Sequence, residues 1–342
     1  MAAAGYLSRV CTMIEQMSKP RAQPCPDPPV FLAPMAGITD LPFRRLVSGF
    51  GVGRVVSEMV ASQEMVQAKP GVRERAELGI GAGDTAVQLA GRDAYWMGEA
   101  ARMVAANGAR VIDINMGCPA KKVVGGLSGS ALLRDLDHAL RLNEAVVAAV
   151  DVPVTLKTRL GWDDAVMTAP ELAQRAEAAG IQLITIHGRT RCQFYKGQAD
   201  WAAIAHVKAV VDIPVIANGD IVDVASARQA MAASDADGVM IGRGAQGAPW
   251  MPAQIAAKMF DAPPPIIPQG VAFAEMVIGH YDDTLAFYGA TLGGRVIRKH
   301  LGWYMDQAGT QPALRRRVLT ASNPGEVRTL LTDALAPMAV AA

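Results

Sequence analysis

The run Val111-Ile112-Asp113-Ile114-Asn115-Met116-Gly117-Cys118-Pro119, with Lys121 and Lys122 close behind, decides how this chain is read. Val111, Ile112 and Ile114 make an apolar strand that ends in a Gly-Cys-Pro turn. A thiol, an amide and two ammonium groups thereby gather at the end of a buried strand, and on a parallel barrel that end is where chemistry takes place. Cys118 could serve there as nucleophile, metal ligand or proton donor. A buried inert thiol is the plain alternative, and Asn115 and the lysines beside it argue against that.

Working outward, seven further β-branched apolar runs share this character: Val30–Ala33, Arg54–Glu58, Ala86–Leu89, Val154–Lys157, Leu183–Ile186, Pro214–Ala217 and Gly238–Ile241. They read as strands buried on both faces of a parallel sheet. Amphipathic segments lie between them, among them Ala94–Ala106, Asp135–Val150, Pro170–Ala179 and Val224–Ala233. Eight such units predict an α/β fold, a (β/α)8 TIM barrel of about 250 residues. A doubly wound open sheet would carry G-x-G-x-x-G after its first strand, but here Ala33-Pro34-Met35-Ala36-Gly37 follows. We therefore expect an N-terminal extension over 1–27, a barrel over 28–255 and a linker over 256–269, where Pro263, Pro264, Pro265 and Pro268 crowd together. A small all-helical C-terminal domain over 270–335 completes the chain. Its helices are expected at Val271–Gly289, Gly294–Ala308, Ala313–Thr320 and Pro324–Leu335. Tyr6–Met17 could form a short amphipathic helix within the extension.

The strand ends supply the candidate site. The Pro34-Met35-Ala36-Gly37 turn lets backbone approach a flat ligand, though a tight structural turn is an equal reading. Thr39-Asp40 suits a helix cap. Gln88 can both donate and accept at a heterocycle's edge, or simply bond to backbone. Lys157 is seldom a core residue, because an unpaired buried ammonium costs several kcal/mol. His187 shares that mouth, and Arg189 and Arg191 favour an anion or nucleic acid. Asn218-Gly219-Asp220 and Gly242-Arg243-Gly244 end the last two strands, where this fold holds phosphate. Together they suit a flavin mononucleotide: phosphate at the glycines, Lys157 near the N1–C2 oxygen region of the ring, and Cys118 across the substrate. A thiol with no clear partner base is better suited to donating a proton than to attacking.

Net charge is +1, from 33 basic and 32 acidic side chains, so any nucleic-acid partner must meet a local basic patch. Arg295, Arg298 and Lys299 fall on one helical face, and Arg315, Arg316 and Arg317 follow. Cys11, Cys25, Cys118 and Cys192 contain no C-x-x-C pair and suit neither a disulfide framework nor a zinc site. No apolar run is long enough to span a membrane. A cytoplasmic protein without a membrane or stable protein partner is expected.

P-M-A-G-I-T-D at 34–40, N-M-G-C-P-A-K-K at 115–122, K-T-R-L-G-W-D at 157–163, I-H-G-R-T-R at 186–191, N-G-D-I at 218–221 and G-R-G-A-Q-G-A-P-W at 242–250 together resemble the tRNA-dihydrouridine synthases. R-K-H-L-G-W-Y at 298–304 resembles their bacterial B-type subgroup. The resemblance implies an FMN enzyme, reduced by NADPH, that saturates the C5–C6 bond of a tRNA D-loop uridine, at position 17 by subgroup. Cys118 would then give the proton at C5, with Asn115 as the neighbouring substrate contact. Pro34, Met35, Gln88, Lys157, His187, Asn218, Gly219, Gly242 and Arg243 match flavin contacts, and Arg189 and Arg191 lie near the RNA. An FMN enzyme of a free pyrimidine, of the dihydroorotate type, would share the flavin site but leave the tail unexplained. A silent RNA-binding barrel would have no need of the Asn115, Cys118, Lys157 and His187 set.

Overall fold

The computed structural model describes residues 23–67 and 85–336. The expected helix Tyr6–Met17 and Cys11 lie outside them. Eight parallel strands close into a barrel: β1 Val30–Leu32, β2 Arg54–Val56, β3 Thr85–Ala90, β4 Val111–Met116, β5 Val154–Arg159, β6 Ile184–His187, β7 Val215–Asn218 and β8 Gly238–Ile241. Closure comes from the β1–β8 and β2–β3 pairings. A two-residue strand, Val60–Ala61, was not expected from sequence and adds to β3 at the rim.

Alternation along the strands divides the barrel interior by height. Phe31, Val56, Ala86, Val111, Leu183 and Ile216 form an apolar plug near the strand starts. The next inward positions are polar: Gln88 pairs in register with Asp113, and Asp113 with Thr155. Above them Asn115 pairs with Lys157, and His187 with Asn218. Outward residues of the same strands, such as Ile112, Ile114 and Leu156, pack on the helices. Gly238 opens β8 where only a glycine fits, since a Cβ there would lie 2.2 Å from the Pro29 carbonyl oxygen.

Helix starts follow local chemistry. Asp40 caps Leu41–Gly49 by accepting from the Phe43 amide at 3.1 Å, and Asp135 caps Leu136–Val147 by accepting from His138 at 2.9 Å. The last barrel helix, Met251–Met259, continues into the expected linker.

Five helices follow: Gly270–Tyr288, Ala290–Val296, Arg298–Gln307, Pro312–Thr320 and Pro324–Leu335. The expected single helix Gly294–Ala308 is thus two, broken at Ile297 and begun earlier. Gly294, the expected helix start, lies inside the first of them. At Gly293 the chain presses on the preceding helix, and a Cβ would lie 2.7 Å from the Thr284 oxygen.

This helical region shares a core with the barrel. Trp250 packs edge-on against Phe50 and Phe273. Phe43, fully buried on the first barrel helix, stacks 4.5 Å from the His300 ring and 5.7 Å from that of His280. Burial pushes His300 down to about 4, and burial together with His300 holds His280 well below the usual histidine range, so both rings are neutral near pH 7. Phe43→Ala should cost about 3–5 kcal/mol in urea unfolding and uncouple melting of the helical region from that of the barrel.

Candidate active site

The strand ends open into a cleft of about 510 Å³. Pro34, Met35, Ala36, Gln88, Asn115, Cys118, Lys157, His187, Asn218, Gly219, Asp220, Gly242 and Arg243 all line it. Inward alternation places Gln88, Asn115, Lys157, His187 and Asn218 on its floor. The other members sit in the loops that follow the strands.

Lys157 is 9% exposed and donates to Asn218 Oδ1 at 3.0 Å. Asn218 is turned for this because its own nitrogen donates to the Met240 carbonyl at 2.8 Å. Burial, then repulsion from Arg159, lowers Lys157 to about 8, against attraction to Asp113 and Cys118. The ammonium is therefore the main form at neutral pH. His187 is held well below the usual histidine range by burial first, then by Lys157, Arg159, Arg189 and Arg243. Its Nε2 lies 3.3 Å from the Arg189 Nη1. A guanidinium can only donate, so Nε2 accepts and Nδ1 carries the proton.

Cys118 is half-buried at the end of β4. Asn115 Oδ1 accepts from the amides of Gly117 at 3.2 Å and Cys118 at 3.0 Å, which fixes the turn. The Arg159 guanidinium donates to the Gly117 oxygen at 2.7 Å and to the Thr190 and Phe194 oxygens at 3.0 and 2.9 Å. One buried arginine thereby ties the cysteine turn to the loop after β6. That loop brings half-exposed Phe194 and Tyr195 to the cleft, with Arg159 5.4 Å and Arg243 5.8 Å from the Tyr195 ring.

The opposite wall is equally determined. Glu58 Oε1 accepts from the Gly37 amide and, at 3.3 Å, from Ile38. Thr39 Oγ1 accepts from the Met35 amide at 2.8 Å. At the β7 end, Gly219 has φ +113°, and a Cβ there would lie 2.9 Å from Ala199 and 3.1 Å from the His187 ring. Trp201 Nε1 donates to the Gly219 oxygen at 2.8 Å.

The profile of the family described as dihydrouridine synthase (Dus) matches residues 31–339. The chain belongs to the dihydrouridine synthase family. A probable tRNA-dihydrouridine synthase of Rhodobacter capsulatus is 61% identical over 309 residues, covering 90% of this chain and 95% of that protein. One of Rhizobium leguminosarum bv. phaseoli is 51% identical over 311 residues, covering 90% and 95%. The tRNA-dihydrouridine synthase B of Xanthomonas campestris is 44% identical over 310 residues, covering 90% and 92%. Among solved structures, a 2-naphthoyl-CoA reductase shares the fold at TM-score 0.53 and 14% identity, covering 67% of this chain and 50% of that one. A histamine dehydrogenase from Rhizobium does so at TM-score 0.51 and 14% identity, covering 74% and 48%.

Within this family member, the residues expected near RNA are scattered. Lys121 and Lys122 are exposed just beyond the Cys118 turn. Arg191 is half-buried with its guanidinium 4.7 Å over the Trp162 ring. Arg189, expected near the RNA, is only 1% exposed. It pairs with Asp220 and donates to the Lys196 and Gly197 oxygens at 3.1 and 2.7 Å, so its part is to hold this loop. Asp220 also accepts from Arg243 at 3.1 Å. Burial raises the Asp220 carboxyl, but Arg189, the Ala199 amide and Arg243 outweigh this and keep it below the usual range. Asp220 therefore sets two arginines rather than meeting an anion itself. The expected Arg295–Arg298–Lys299 face divides: Arg295 and Arg298 line a separate 280 Å³ pocket among the tail helices, while the Lys299 Nζ lies against Gly37 at the cleft mouth.

Sequence reading passed over Arg159, Asp113, Thr155, Glu58 and Tyr195. Period-two spacing from Lys157 and Asn115 would have marked the first three as facing inward. Asp220→Asn should destabilise the chain by about 3 kcal/mol in urea unfolding, near the lower end for breaking a buried pair, because the Asp220 side chain keeps 27% of its exposure.

Proposed function

We propose that this protein is an FMN-dependent, NADPH-reduced tRNA-dihydrouridine synthase that reduces the C5–C6 bond of a D-loop uridine in the cytoplasm. The observation that carries the reading is the half-buried Cys118 on the rim of a cleft whose floor holds Gln88, Asn115, Lys157 and His187. The relatives' printed names supply the substrate class.

The residues fit FMN. Gly219, Gly242 and Arg243 offer amides and a guanidinium to a phosphate at one side, and a Cβ on Gly242 would meet nothing nearer than 3.6 Å. Lys157 and Gln88 would meet the polar edge of the ring, with Met35 against it. Bound there, FMN supplies the hydride for uridine C6. Neutral His187 offers a hydrogen bond without competing with Lys157 for charge. Charge then develops over C5 and O4 of the uridine. The Cys118 thiol delivers the proton to C5, and Asn115 beside it steadies the carbonyl. A stacked uridine cannot reach this floor and must be extruded, at a cost of a few kcal/mol. Lys121, Lys122, Arg191, Arg295, Arg298 and Lys299 would offset that cost through phosphates. The extent of the tRNA-binding helical domain, 270–335, belongs to the same proposal.

The reading is tested anaerobically. Protein reduced with NADPH should be reoxidised by unmodified tRNA and not by free uracil or orotate. Reoxidation by the free bases would move the activity to the pyrimidine dehydrogenases, and a protein that binds no flavin would undo it. Cys118→Ala should slow reoxidation by tRNA ~10²–10⁴-fold while leaving FMN affinity near that of the parent.

The pH dependence follows from Lys157. Loss of its proton as pH rises through about 8 should weaken FMN binding and lower the rate. Lys157→Met should be slow at pH 7 and lack this alkaline limb. Stability of the flavin-free protein moves oppositely. Between about 8 and 10.5 only the unfolded chain keeps this proton, so the Lys157 contribution to stability rises with pH over that window.

A further inference from the structure

Beneath the cleft runs a buried chain of hydrogen bonds that has a direction. Thr155 Oγ1 donates to Asp113 Oδ1 at 2.6 Å, and Gln88 Nε2 donates to Asp113 Oδ2 at 2.7 Å. Gln88 Oε1 accepts from Asn115 Nδ2 at 2.9 Å. Asn115 Oδ1 in turn accepts from the Gly117 and Cys118 amides. Asp113, Gln88, Asn115 and Thr155 are all buried, at inward positions of the adjacent strands β3, β4 and β5.

An amide side chain can be turned end for end, whereas an ionised carboxylate only accepts. In the structure both Asp113 oxygens accept, one from Thr155 and one from Gln88, and neither is left over for another partner on this chain. Asp113 draws the Gln88 nitrogen toward itself, which turns the Gln88 oxygen to Asn115. That in turn sends the Asn115 nitrogen to Gln88 and its oxygen to the cysteine turn. Each amide nitrogen keeps a second hydrogen, and both residues line the cleft. Burial raises the Asp113 carboxyl, opposed by the two donors and by the nearby Lys157.

We propose that Asp113 is a positioning residue whose side-chain oxygen, accepting from Gln88, sets the orientation of Gln88 and Asn115, so that both offer N–H groups to carbonyl oxygens of a heterocycle in the cleft and Asn115 holds the Cys118 turn. This deepens the flavin–uridine reading and rests on it for the identity of the ligand. The orientation itself can be read on Cys118 without flavin or tRNA.

A double-variant cycle on the full chain tests it. In Asp113→Asn the new amide can accept from Gln88 and donate to the Thr155 hydroxyl, so the orientation survives without the charge. In Thr155→Val the carboxylate still accepts from Gln88. Only the two together free the amide at position 113 to turn. The readouts are iodoacetamide labelling of Cys118, with exposed Cys192 as internal standard, and the dissociation constant of added FMN. Each single variant should stay within about threefold of the parent, and the pair should depart by about tenfold or more in both readouts, the size expected of coupled neighbours. A pair equal to the product of its single effects overturns the proposal. Coupled labelling with FMN affinity untouched upholds Asp113 and counts against the flavin reading, so the two failures are separable. Should the pair not fold, Gln88→Glu is made instead: it still accepts from Asn115, so Cys118 labelling should stay within about threefold of the parent, but it can no longer donate to Asp113, so the urea midpoint should fall. Adding Asp113→Asn should raise that midpoint again, because the new amide can donate to the new carboxylate, and a lack of recovery overturns the proposal.

Discussion

An ammonium group buried at the mouth of a barrel has to be compensated, and much of the cleft is arranged around that need. Lys157 has one side-chain acceptor in contact, Asn218, and a carboxylate close by in Asp113. Desolvation still lowers it to about 8, so its charge is kept at neutral pH and lost in mild alkali. The same field keeps His187 neutral, since four cations and burial all disfavour a second charge there. A floor with one cation, one neutral imidazole and oriented amides is the consequence.

The rim depends on contacts that reach across long stretches of chain. Arg159 ties the cysteine turn to the loop after β6 through three carbonyls. Arg189 and Arg243 share Asp220 and hold the opposite corner. Glu58 fixes the first turn through the Gly37 and Ile38 amides. The helical tail leans on the same wall, with Phe43 against His300 and the Lys299 Nζ against Gly37. Loops that each look unconstrained in sequence are thus cross-braced by buried charges. A buried guanidinium with several carbonyl acceptors is one of the few stable ways to hold irregular backbone near water-excluding space.

The barrel was legible because its signals are local. Apolar strands of the right length recur at β–α spacing, and their order gives the closed sheet. The strand-end residues were legible for the same reason, since chemistry at the end of a strand stands out against apolar neighbours. The earlier start of the tail helix was not, because at Gly293 a close approach to the preceding helix, not a local signal, sets the backbone there. Arg189 and Asp220 show the same limit. Each looked like a ligand contact by position, and each is engaged by the other.

The sequence by itself determined the strand order, the polar groups at the strand ends and the inward alternation that brings Lys157, Asn115 and Gln88 to one floor, because these follow from periodicity and chain connectivity. Only the tertiary structure decided which arginines face the cleft and which brace it, which way the buried amides point, and where the basic tail divides between a pocket and the mouth. Those outcomes rest on pairings between residues distant in sequence, and the free energy of a charge or an amide depends on the partners and the water that the folded chain leaves to it.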